Sequence, residues 1–167
     1  MNRWFYTQLW RIAPPLIRHY LKKRAVKSPA YLYHWGERFG EPFDRPVQRP
    51  IWVHAVSVGE TRAAQPLVEA LRRHFPDAPL LMTQMTPTGR AAAKELFPDA
   101  QCRYLPYDKP EWVAQFLKEH RPLFGVLMET EIWPNLMHAC ADAHVPLFLA
   151  NARLSEKSQR GYLKIRN

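Results

Sequence analysis

From Ile51 onward, short apolar runs alternate with segments in which apolar residues recur every third or fourth position. Ile51 to Val58 is a β-branched and aromatic run of strand length, and Ala64, Leu67, Val68, Leu71 and Phe75 follow at helical spacing. Pro79 to Thr83 reads as a second short strand. Thr86 can cap the next helix, with Pro87 at its first position, where a missing N–H costs nothing. Tyr104 and Leu105 end a third strand, and Asp108 with Glu111 three residues on resembles a capping box ahead of a helix carrying Val113, Phe116 and Leu117. Leu123 to Met128 is the most continuous apolar run, suited to a strand buried on both faces. Pro134 opens a helix that turns Leu136, Met137 and Cys140 inward, Pro146 to Ala150 is a fifth strand, and Ser155 to Ile165 reads as helical. Five βα alternations over 51–167 predict an α/β fold, a doubly wound parallel sheet of Rossmann-like form.

Ahead of the sheet the pattern is different. At about 100° per residue, Arg11, Arg18 and Lys22 share one narrow sector of a helix with Arg3 on its border, while Phe5, Leu9, Ile12, Leu16 and Tyr20 cluster on the opposite side. Trp4, Tyr6 and Trp10 add interfacial aromatics. This is the pattern of an amphipathic helix lying in an anionic membrane surface, and residues 1–27 are expected to act as such an arm. The alternative is a basic helix docked on its own domain with its charges solvated. Pro14-Pro15 is expected to break or kink the helix near Ala13, leaving two short amphipathic turns. Residues 28–50 carry Pro29, Pro42, Pro46 and Pro50 without alternation and read as a connector.

Composition narrows the function class. A chain of 167 residues with 47% hydrophobic and 23% charged positions can bury one sizeable core. Its net charge of +9 is unevenly placed, because seven basic residues precede Glu37, the first acidic one. The remainder is nearly balanced, which argues against a nucleic-acid-binding face lined with Lys and Arg. Arg3, Arg11 and Arg18 also interrupt the arm too often for a spanning helix, which needs ~20 mostly apolar residues. No secretory cleavage pattern precedes the arm, and Cys102 and Cys140, the two cysteines, read as reduced thiols in a cytosolic setting. His138, Cys140 and His144 do not fall on one helical face, so no metal site is expected, and neither a Gly-x-Gly-x-x-Gly nor a Walker sequence is present.

The candidate chemistry lies at strand ends. In a parallel α/β sheet the carboxyl ends of the strands share one rim, and ligands bind outside it. Glu60 follows Gly59 just after the first strand; glycine permits a tight turn, and a carboxylate there could serve as a general base or merely cap its helix. Glu129 and Glu131 flank Thr130 after the most buried strand, Glu129 nearer its end, with Glu131 also placed to cap the helix at Pro134. Thr86, Thr88 and Gly89 have the form of an anion- or hydroxyl-binding turn, although capping alone accounts for Thr86. Asn151, Arg153 and Ser155 could hold a phosphate or sugar, Arg153 through bidentate contacts.

Ser57-Val58-Gly59-Glu60, Met85-Thr86-Pro87-Thr88-Gly89, Tyr104-Leu105-Pro106-Tyr107-Asp108, Met128-Glu129-Thr130-Glu131-Ile132-Trp133-Pro134-Asn135 and Asn151-Ala152-Arg153-Leu154-Ser155, with Trp35-Gly36-Glu37-Arg38 earlier, together resemble the acceptor domain of the Kdo transferases. The resemblance runs from about Tyr31 to Tyr162. It implies the N-terminal half of a GT-B glycosyltransferase that moves 3-deoxy-manno-octulosonic acid (Kdo) from CMP-Kdo to the lipid A precursor (lipid IVA), with inversion and without a metal or other cofactor. It also implies Glu60 as general base, Glu129 as stabiliser of an oxocarbenium-like transition state, and work at the cytoplasmic face of the bacterial inner membrane in lipopolysaccharide biosynthesis. The family's second, donor-binding domain has no counterpart in 1–167, so by this resemblance the chain is a partial form, inactive alone. A non-catalytic, membrane-bound module that binds lipid A or another lipid is the competing reading.

Overall fold

A computed structural model describes residues 3–129 and 131–152. Five strands, β1 (Ile51–His54), β2 (Leu80–Gln84), β3 (Gln101–Tyr104), β4 (Phe124–Met128) and β5 (Leu147–Ala150), form a sheet of order β3-β2-β1-β4-β5. Every pairing is parallel, with His54 level with both Thr83 and Leu127. The chain winds outward from β1 to β3, then returns to β4 on the other side of β1. That reversal puts a topological switch point between β1 and β4, where the carboxyl ends of α/β strands leave a crevice.

Alternation along the strands feeds two cores. Val53, Met82 and Val126 meet Val68 of α4 (Gln65–His74), Ala93 of α5 (Pro87–Leu96) and Phe97 just beyond α5. Trp52, Leu81 and Leu127 meet Val113, Phe116, Leu136 and Cys140 from α6 (Pro110–His120) and α7 (Pro134–Asp142) on the other face. Both faces are therefore apolar, and β1 and β2 are buried along their whole length.

Several local expectations change. β1 ends at His54 rather than Val58, because Ser57 caps a helix α3 (Val58–Ala63) that already contains Gly59 and Glu60. α3 and α4 are separate, since Pro66 lacks the N–H that would continue the first helix through Ala64. α6 starts without a side-chain cap, at Lys109. Asp108 instead receives the amides of Asn135 (3.0 Å) and Leu136 (2.7 Å), so it caps α7. Its carboxylate is worth more there, where it satisfies two orphan N–H groups at once.

The arm is one unbroken helix, α1 (Arg3–Ala25), with Pro14 and Pro15 inside it. Each proline removes a backbone donor and crowds the carbonyl of the preceding turn, a cost that contacts on both sides of the pair offset by holding the helix in place. The Thr7 hydroxyl donates to Asn135 Oδ1 at 2.8 Å, Trp10 stacks on Tyr107, Arg18 lies over the Phe39 ring at 4.7 Å, and Leu21 and Ala25 are buried. Trp10, and Tyr6 through a hydrogen bond to Asp108, thus serve docking rather than the interfacial role their sequence suggests. Phe5, Leu9, Ile12, Leu16 and Tyr20 remain outside, each more than half exposed. Among the described residues no helix is long and apolar enough to cross a membrane.

The connector between arm and sheet contains a short helix α2 (Trp35–Arg38). Its Glu37 carboxylate receives both terminal nitrogens of Arg90 (2.6 and 3.1 Å), Arg103 Nη1 (3.0 Å) and the Tyr104 amide (2.8 Å). The neighbouring Arg38 is fully buried, donates to the Met85 carbonyl at 3.0 Å and lies over Tyr104.

Candidate active site

Glu60 stands at the switch point, in the first turn of α3. Ser57 Oγ accepts the Glu60 amide, and the Glu60 side chain reaches back to accept Ser57 Oγ at 2.8 Å on Oε1 and the Val56 amide at 2.8 Å on Oε2. This is a variant of the capping box, in which the glutamate accepts the amide before the cap and the cap's hydroxyl, and the spacing Ser57-x-x-Glu60 announces it in the sequence. The capping role and the candidate catalytic role therefore fall on the same carboxylate. Gly59 does not make the turn expected of it: it is helical and exposed, and an added Cβ would meet nothing nearer than 3.9 Å.

Burial raises the carboxyl of Glu60 above the ordinary carboxylate range, the Val56 and Ser57 hydrogen bonds oppose this, and the nearby charges of Glu129 and Glu131 push it further up. Carboxylates predicted from two separate motifs are thus close enough for the charges of Glu129 and Glu131 to act on Glu60. Their meeting follows from the register: two residues beyond the level pair His54 and Leu127 lie Val56 and Glu129. Glu129 directly follows β4 in the left-handed region (φ 59°), its amide donating to the Ala150 carbonyl at 2.9 Å. A non-glycine residue there carries strain of about 1–3 kcal/mol, and such strain concentrates at functional sites. Glu131 is half-buried, and its Oε2 accepts the Trp133 indole N–H at 2.8 Å. It does not cap α7, the role that Asp108 fills.

The Thr86–Gly89 turn is the scaffold beneath this cluster. Thr86 Oγ1 accepts the Gly89 amide at 3.0 Å, capping α5 as predicted. Gly89 presses so closely on the preceding loop that a Cβ would lie 3.1 Å from the Val56 carbonyl oxygen and 2.9 Å from Thr86 Oγ1. Thr88 is exposed beside it. Asn151, also exposed and left-handed (φ 53°), follows β5 on the same rim. Arg153, Ser155 and the helix expected over Ser155 to Ile165 lie outside the described residues.

His138 Nδ1 lies 2.8 Å from Asp142, while burial pushes the Cys102 and Cys140 thiols up to about 11 and about 12, leaving both unreactive. Sequence reasoning missed Asp108, Trp133 and Glu37 as parts of the site's support. Their presence in motif blocks marked them, and for Asp108 the local pattern pointed to a cap on the wrong helix.

The model of the 3-deoxy-D-manno-octulosonic-acid transferase (kdotransferase) family matches residues 33–167. The chain belongs to this family. It is 40% identical over 99% of its length to the 3-deoxy-D-manno-octulosonic acid transferase of Haemophilus influenzae, and 43% identical over 96% to that of Bordetella pertussis. A probable mitochondrial 3-deoxy-D-manno-octulosonic acid transferase of Arabidopsis thaliana is 36% identical over 86% of the chain. The chain spans about two fifths of the length of the two bacterial relatives and a third of the plant one. The Rossmann-like reading, the all-parallel sheet and the preceding helix agree with this membership.

Proposed function

We propose that this chain supplies the acceptor-side half of a glycosyltransferase that transfers Kdo from CMP-Kdo to the lipid A precursor with inversion. The observation that carries this is Glu60, held at the switch point with its basicity raised and with Glu129 and Glu131 close enough to act on it. Glu60 takes the proton from the acceptor hydroxyl as that oxygen bonds to the anomeric carbon of Kdo. The bond from that carbon to the CMP phosphate breaks on the opposite face, and the electron pair leaves with the phosphate. CMP departs as a stable anion, so this reading needs neither a protein acid nor a metal opposite the base. The negative charge of Glu129 stabilises the oxocarbenium-like centre, where electrostatic preorganisation is most effective.

Gly59, Thr88 and Asn151 are exposed rim positions open to acceptor sugars, and Arg153 and Ser155 have the chemistry for an acceptor phosphate, Arg153 through bidentate contacts. The docked arm turns an apolar stripe outward beside a run of cations, Lys22, Lys23 and Arg24, a combination suited to anionic lipid. This supports work at the cytoplasmic face of the inner membrane, where CMP-Kdo and an acylated acceptor meet.

Glu60→Gln in the full-length protein is the direct test. Transfer measured as CMP release should fall by ~10²–10⁴-fold while acceptor binding is retained. Transfer within a few-fold of the parent rate would remove Glu60 from the mechanism. Retained lipid binding with no CMP release by the parent protein would instead favour a lipid-binding module.

A further inference from the structure

The Trp133 indole joins the carboxylate cluster to the core of the sheet. Its Nε1–H donates to Glu131 Oε2 at 2.8 Å, and among the described residues no other hydrogen bond to that carboxylate is made. Its ring packs edge-on against His54, 5.7 Å between centroids. His54 is fully buried at the end of β1, with Nδ1 2.9 Å from Thr83 Oγ1, and the same hydroxyl receives the Trp52 indole N–H at 2.7 Å. A continuous line of packed polar contacts therefore runs from Trp52, through Thr83 and His54, to Trp133 and Glu131. Capping duties do not account for it, because Asp108 already caps α7.

We propose that Trp133 is a positioning residue for transfer: its indole N–H, steadied by packing on His54, holds Glu131 in the carboxylate cluster around Glu60. This rests on the reading of Glu60 as general base. A free glutamate so near two others would turn toward water, because like charges repel and solvent lowers their energy. A hydrogen bond from a half-buried ring, itself seated on the core, opposes that escape and keeps the Glu131 charge acting on Glu60.

Among the described residues the charged groups facing Glu60 are few. Glu129 and Glu131 act on it from the segment after β4, and Arg62, two residues on in the same helix, is not among the charges that act on it. Arg90 is brought by α5, which packs on α3, but its guanidinium is committed to Glu37. Removing the Glu131 charge takes away a repulsion that favours protonated Glu60. The acid limb of the kcat/KM profile, which reports the base in the free enzyme, must then move to lower pH.

The experiment compares pH profiles of kcat/KM for Glu131→Gln, Trp133→Phe and the double variant in the full-length protein, with thermal melts of each. Phenylalanine keeps a ring against His54 but cannot donate. The expected result is a downward shift of the acid limb in both single variants, with no further shift in the double. A purely structural tryptophan would lower Tm or the plateau rate and leave the limb in place, and that result overturns the proposal, as does an additive shift in the double variant. Should Trp133→Phe fail to fold, Glu131→Asp carries the test, since it withdraws the carboxylate from an intact indole; an unmoved limb overturns the proposal there too. Glu60→Gln separates the two levels: full activity in that variant defeats the general-base reading itself, whereas loss of activity there with an unmoved limb in Trp133→Phe defeats only the role of Trp133.

Discussion

Thr86 donates both its backbone N–H and its hydroxyl to the carbonyl oxygen of Val56, each at 3.2 Å. The amide of the same Val56 donates to Glu60. One peptide segment thus carries the grip of the α5 turn on one side and the hold on the candidate base on the other. Gly89→Ala tests this coupling, because its Cβ would enter the space of the Val56 carbonyl oxygen. We expect a loss of about 1–3 kcal/mol in stability, the usual cost of overpacking. Denaturant melts measure that loss, and transfer assays should show a fall in kcat larger than the unfolded fraction accounts for.

Much of this arrangement was legible before the structure. The period changes placed all five strands, and the motifs at their ends named Glu60, Glu129 and Glu131, because strand ends of a parallel sheet must share a rim. The missing part is what holds those residues. Asp108 reads as the cap of the helix that follows it, since capping boxes are local patterns, yet it caps α7, and no local spacing encodes a contact between residues 108 and 135. Pro14-Pro15 reads as a break because propensity ignores docking. The stripe Tyr6, Trp10, Leu21 and the stripe Phe5, Leu9, Ile12, Leu16 are both apolar, and only packing decides which one faces inward.

Acid should destabilise the fold through His54. Its burial depresses its pKa to about 4 from an unfolded value near 6.5, so the neutral ring is the form that fits. The unfolded state binds a proton first as pH falls. The stabilising contribution is therefore complete above about pH 6.5 and is lost between there and about pH 4, where it amounts to ~3 kcal/mol. Glu60 and Asp108 have raised values and act in the opposite sense, losing stability as pH rises from the ordinary carboxylate range toward their folded values. Chemical denaturation at several pH values measures the sum. In His54→Asn, whose side chain can still meet Thr83, stability should fall less between pH 6.5 and 4 than in the parent; an unchanged slope would assign the acid loss to other groups.

Glu37 holds two arginines that belong to α5 and β3, and Arg90 is almost wholly buried. Glu37→Gln leaves those guanidinium charges in the interior with a neutral partner. Breaking one side of a buried pair typically costs 3–5 kcal/mol, far more than a surface bridge is worth. We expect a loss of about 3 kcal/mol in urea unfolding, while substitution of the exposed Asp142, paired with His138, should change stability by less than about 1 kcal/mol. Equal effects at the two positions would show that the connector is not clamped by Glu37.

The outward stripe of α1 allows membrane attachment to be separated from folding. Leu9, Ile12 and Leu16 are 52%, 63% and 68% exposed, so replacing all three with serine removes little packing from the domain. On a bilayer each would be buried, and a fully buried aliphatic side chain is worth about 1.5–3 kcal/mol. The triple variant should therefore keep its Tm within a few degrees while losing most of its cosedimentation with liposomes containing anionic lipid. Lys22, Lys23 and Arg24 changed to glutamate should weaken the same binding by charge, and added salt should weaken the electrostatic share in the parent. Arg18 is a useful control, since its guanidinium lies over Phe39 and its loss should lower Tm more than it lowers liposome binding. Undiminished sedimentation of the serine variant would mean that α1 serves the domain alone and that the bilayer, if bound, is met by another surface.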